Sequence, residues 1–170
     1  MTMSNTLFKA ASIVVAAAAA FSTVAAEAAP ANASATARAR VLKQITVVNT
    51  SDLDFGTIVA GTAASTVAVS AGGVRTCGAG LTCTGAVSSA NFNVTGTSAA
   101  VVTVTGDNTV SLANGTGGTM TAALTRSAST LTLTSGAING TFQVAGTLNL
   151  AANQADGAYT GTFNVSVNYQ

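Results

Sequence analysis

The sequence predicts an all-β protein, a sandwich or barrel of many short antiparallel strands. Three observations carry that expectation. Apolar and polar residues alternate with a period of two, most clearly where Phe163, Val165, Val167 and Tyr169 interleave with Thr162, Asn164, Ser166 and Asn168. Thr, Val, Ser and Gly dominate every window beyond the first thirty residues, a composition that favours strands over helices. Glycines and the steps Asn114-Gly115 and Asn139-Gly140 separate the alternating runs, as turns between strands do. A chain of 170 residues suits one such domain.

The first stretch is expected to lie outside the fold. Residues 1–28 carry a weakly positive start ending at Lys9, an apolar run from Ala10 to Phe21 and small residues before Ala28, the pattern of a secretory signal peptide. Cleavage is expected after Ala28, with Ala26 and Ala33 as alternatives. The apolar run is shorter than the roughly 20 residues a membrane span requires, so no stable membrane insertion is expected.

Next comes a small-residue strand pattern. Ala33, Ala35, Ala37, Ala39 and Val41 share one face, and Ser34, Thr36, Arg38 and Arg40 share the other. The run Gln44 to Val48 follows almost without a break. Together they exceed an ordinary strand of 5–6 residues, so part of this stretch is expected to lie outside its own domain. The alternative is that it pairs within the domain as an edge strand.

Shorter alternating segments follow at Val67 and Val69, Phe92 and Val94, Val102 and Val104, Val110 and Leu112, Met120 to Leu124, and Leu131 with Leu133. Phe142, Val144, Leu148 and Leu150 form a longer run, and the polar stretch Asn153 to Gly157 is expected to turn it into an antiparallel last strand, Thr162 to Tyr169. Alternation places Phe55, Phe92, Phe142 and Phe163 in the core, and Tyr159 and Tyr169 in the core or on its rim.

The chemistry-bearing residues are few. Six Lys and Arg against five Asp and Glu give a net charge of +1, with no basic field to hold nucleic acid. There is no His and no Trp, and the single Glu, Glu27, precedes the expected cleavage site. No base is placed to activate a Ser or Thr hydroxyl, so the expectation is no enzyme, no catalytic residue and no cofactor. Asp52 and Asp54 fall short of the oxygen ligands calcium requires and fit a turn better, so no metal site is expected. Cys77 and Cys83 enclose five residues; after export they are expected to form a structural disulfide, since two thiolates alone do not complete a zinc site.

Two segments carry a resemblance. Thr46 to Ile58, with its Leu53-Asp54-Phe55-Gly56 turn, and Gly157 to Tyr169, with its alternating tyrosine-bearing end, resemble an uncharacterised family of secreted bacterial surface proteins that looks like the archaic chaperone-usher pilins and the spore-coat U domain. The likeness spans about residues 35–169. One feature departs from those pilins: they often have a Cys just after the donor strand, where this chain has Ile45, Thr46 and Val47.

The resemblance implies an incomplete, pilin-like immunoglobulin-like β-sandwich, residues 43–170, preceded by a donor-strand extension, residues 29–42. The donor residues would be Ala35, Ala37, Ala39 and Val41. The acceptor groove would be lined by Ile45, Val47, Phe163, Val165, Val167 and Tyr169. Each subunit would complete the next in a head-to-tail filament, with a periplasmic chaperone and an outer-membrane usher as partners, ending as a secreted cell-surface fimbria serving adhesion or biofilm formation. The alternatives are a monomeric secreted binding module, or a spore-coat or surface-layer component.

Overall fold

The structure, a computed structural model, describes residues 30–170; the expected signal peptide, residues 1–28, lies outside them. The chain divides into two units, Met1–Ala39 and Arg40–Gln170. In the first, Pro30–Ala39 is exposed and carries neither helix nor strand. The strand pattern of Ala33 to Ala39 is therefore not realised as a strand. Alternation alone does not make one, because an extended backbone needs a partner for its N–H and C=O groups.

The second unit is all-β, with sheets packed in the sandwich-like arrangement of an immunoglobulin-like fold. No helix occurs among the described residues. Its centre is β11 (Gly140–Leu150), whose burial alternates along almost its whole length. One edge of β11 pairs with β9 (Thr119–Arg126). The other edge pairs first with β6 (Ala90–Thr95) and then with β3 (Ser65–Val69). Ala90 lies opposite Val144 and Val69 opposite Gly146, so β3 and β6 act as one interrupted strand.

The interruption, residues 70–89, folds outward as β4 (Arg75–Cys77), paired with β3, and β5 (Thr82–Thr84), paired with β2 (Thr57–Val59). Cys77 and Cys83 lie at bonding distance as a disulfide, Cα atoms 6.2 Å apart, and so fasten the β2–β5 ribbon to the large sheet through β4. Replacing both by serine is expected to lower the unfolding free energy by roughly 2 kcal/mol, the loop-closure entropy of a ring this short. Urea unfolding of the variant beside the oxidised parent checks it.

The pairings continue around the unit. β1 (Thr46–Ser51) lies along β6, Asp54 bridges Ser88, and β2 lies along β5, making one discontinuous edge. On the far side β8 (Thr109–Ala113) pairs with β9, and β7 (Val101–Gly106) pairs with β10 (Thr130–Thr132). The Leu124 N–H donates to the Asn108 carbonyl and the Val104 N–H to the Ser129 carbonyl, joining these two pairings into one bent ribbon. β12 (Val165–Tyr169) lies along the outer edge of β7, and Thr160 bridges Ala113.

The expected hairpin between the last two long strands is not formed. Both edges of β11 are already occupied, so the chain crosses after Leu150 and β12 joins β7 in the other sheet. The core lies between the sheets: Val67, Val69, Val94, Phe142, Val144 and Leu148 from the large one, and Val102, Val104 and Val167 from the small one. Phe142 stacks on Phe92 with ring centroids 5.0 Å apart, and Phe163 meets Phe92 edge-on at 6.5 Å.

Asn139 is a buried anchor rather than a tight-turn residue. Its side chain accepts from the Gly96 N–H and donates to the carbonyls of Thr134 and Gly136. Asn114 does sit in a turn, between β8 and β9; its Oδ1 accepts from the N–H groups of Thr116 and Gly118, with Gly115 at φ +76°.

Candidate functional site

Strands β1 and β12 stand at edges of different sheets. Each has one partner, so each presents a free backbone edge. The two edges approach each other. At one end the Tyr169 hydroxyl donates to the Lys43 carbonyl at 2.6 Å and accepts from the Thr97 N–H at 2.8 Å. The Lys43 N–H in turn donates to Thr97 Oγ1 at 2.7 Å. At the other end, Asn49 and Asp52 from the end of β1 share a cleft with Thr160 to Phe163, just before β12. The free edges therefore run antiparallel to each other along a seam.

The surface is open beyond the Asn49 end of the two strands. The cleft there has a volume of about 440 Å³ and a floor of Leu53, Phe92, Leu112 and Phe163. It continues, sharing Leu53, Leu112 and Tyr159, into a second cleft of about 680 Å³ between Asp54 to Ala60 and Gln154 to Tyr159, floored by Met120, Leu148 and Leu150. The two clefts adjoin, each with an apolar floor and polar residues on its rims.

Local sequence explains both rims. Asp54 Oδ1 accepts from the Gly56 N–H at 2.8 Å, the turn role expected of it, and Gly56 has φ +74°, a conformation glycine adopts without strain. Arg75 Nη1 donates to the Phe55 and Thr84 carbonyls, satisfying backbone that the turn leaves unpaired. The turn points Leu53 and Phe55 inward and leaves Asp52 and Asp54 exposed. On the opposite rim the Tyr159 hydroxyl donates to the Ala155 carbonyl and accepts from Gln154 Nε2, fixing the loop that walls the larger cleft.

Of the residues expected to line an acceptor groove, Phe163 lines the smaller cleft. Ile45, Val47, Val165 and Tyr169 are half-buried along the inner face of the two edge strands, and Val167 is buried. The edge strands differ in extent from the sequence reading. β1 is Thr46–Ser51 rather than Gln44 to Val48, and β12 begins at Val165 rather than Thr162. Of the expected donor residues, Val41 is 92% exposed and Ala35, Ala37 and Ala39 are exposed in irregular chain.

Sequence reading missed Leu53, Leu112, Met120 and Tyr159 as groove residues. Leu53 alone carried a signal, as an apolar residue between two aspartates in a turn.

Residues 45–169 match the model of a family described as a domain of unknown function, DUF4402, and the chain belongs to that family. No curated protein and no solved structure matches the chain.

Proposed function

We propose that this member of the DUF4402 family is a structural subunit of an extracellular pilus or fimbria, assembled by donor-strand complementation and serving surface adhesion or biofilm formation. The observation that carries the reading is a pair of free strand edges, β1 and β12, with two adjoining clefts of apolar floor beyond one end of them, lined from residues 49–60 on one side and 154–163 on the other. An extended segment lying there would satisfy backbone groups on both sides and cover the groove floor. The donor would be the small-residue segment 29–42 of another copy. Methyl-sized side chains contribute about 0.8 kcal/mol per buried CH₂. The ladder itself adds on the order of 1 kcal/mol per hydrogen bond, so the backbone would supply most of the grip.

Head-to-tail donation produces an open filament unless the rotation between subunits closes a ring. An exposed groove and free edges also call for a protective partner before assembly, the role of a periplasmic chaperone, with an outer-membrane usher as the exit route.

Deletion of residues 29–42 from the secreted chain tests the reading. The expected result is soluble or chaperone-held protein and no fibres in material sheared from cells, viewed by electron microscopy. Fibres of normal length from the deletion variant would refute the assignment of the donor. A sharp monomer peak from the full chain on size exclusion would favour the monomeric binding module instead.

A further inference from the structure

Both the groove rims and the segment proposed to fill the groove are charged, with opposite sign. Of the four aspartates in the described residues, Asp52 borders the smaller cleft and Asp54 and Asp156 border the larger one; all three are exposed. No Lys or Arg lines either cleft. Residues 30–44 hold Arg38, Arg40 and Lys43 and no acidic residue. The remaining described cations, Arg75 and Arg126, donate to backbone carbonyls, and Arg126 also to Asn108 Oδ1.

The spacing matches as well as the sign. Asp52 and Asp54 stand two residues apart on the outward side of a chain whose Leu53 and Phe55 point into the groove. Arg38 and Arg40 stand two residues apart, alternating with Ala37, Ala39 and Val41. In neighbouring strands side chains of one face stay in phase, so a donor that turns its alanines to the groove floor turns both arginines toward the side carrying the two aspartates. A parallel strand brings Arg38 to Asp52 and Arg40 to Asp54; an antiparallel strand exchanges the pairs.

We infer that the groove selects its occupant by charge as well as by shape: the partner is the N-terminal segment of a second copy, whose Arg38 and Arg40 pair with Asp52 and Asp54, with Asp156 adding to the field from the opposite rim. This rests on the donor-strand reading and gives it a specificity determinant. Exposed rim charges of this kind act on encounter and registry more than on final affinity.

The test is the assembly rate of the full secreted chain, followed by light scattering and sedimentation, for the parent, Arg38→Glu/Arg40→Glu, Asp52→Lys/Asp54→Lys and the fourfold exchange. The parent should slow about tenfold between about 0.01 M and 1 M salt, as the screening length falls from about 30 Å to about 3 Å. Apolar docking alone would not slow. Each double reversal should assemble about tenfold more slowly at low salt, and the fourfold exchange should recover most of the loss.

The arginine variant changes only exposed irregular chain, so slow assembly there cannot come from loss of the domain fold. Parent-like rates in the arginine variant at every salt concentration, or a fourfold exchange no faster than either double variant, would overturn the inference while the donor-strand reading stands. A parent that does not assemble at all would overturn both.

Discussion

Phe142→Ala is expected to destabilise the domain by about 3–5 kcal/mol, the cost of removing a fully enclosed aromatic ring and leaving a cavity that closely packed neighbours cannot fill. Phe142 is 0% exposed and lies directly opposite Phe92 in the β6–β11 pairing, with the two rings stacked. Against a total stability of about 5–15 kcal/mol, such a loss removes a large share. Urea unfolding at constant pH, with the disulfide intact, reads it directly. A loss below about 1 kcal/mol would show that the aromatic stack is not the centre of the core. Phe92 is both partner to Phe142 and floor of the smaller cleft, so on the proposed donor-strand reading the variant should also bind a strand less well.

Gly146→Val is expected to cost about 1–3 kcal/mol and, on the proposed donor-strand reading, to impair assembly at the same time, because overpacking here displaces Leu53 at the groove. Gly146 sits mid-β11, where an added Cβ would come 2.7 Å from Leu53 Cδ2 and 2.9 Å from Phe55 Cζ. The absent side chain is what allows the turn between β1 and β2 to lay Leu53 and Phe55 over the centre of the sheet. Thermal unfolding and sedimentation of the same preparation would separate the two effects. A variant that is less stable yet assembles at the parent rate would show that the Leu53 wall tolerates displacement.

The parts of this fold written plainly in the sequence are those whose side chains meet a dry face on one side and water on the other. Phe92 and Val94, Val102 and Val104, and the run from Phe142 to Leu150 announce their strands by alternation, and all are buried as expected. Thr57–Val59, Arg75–Cys77 and Thr82–Thr84 did not, since three residues hold too little pattern to distinguish a strand from a loop. They are strands because the neighbouring chain supplies partners.

Pairing order was likewise hidden. Adjacency in sequence suggested that Thr162 to Tyr169 would return along the preceding strand, but the availability of a free edge on β7 decided otherwise. The groove was half legible. Phe163 stood out by strand alternation and Leu53 as an apolar residue between two aspartates in a turn, whereas Leu112 and Met120 line it because β8 and β9 carry them there, and Tyr159 because its hydroxyl is held by Gln154 and Ala155.

The interruption between β3 and β6 separates two jobs within one domain. Only the position opposite Ala145 lies between the residues that face Val144 and Gly146, so the central ladder keeps its register whatever the twenty residues of the detour contain. Yet that detour supplies β5, which holds β2 and with it one bank of the larger cleft. Sequence change in this side branch can thus reshape the bank of that cleft while the scaffold beneath stays as it is, so the cleft is free to vary where the ladder is not.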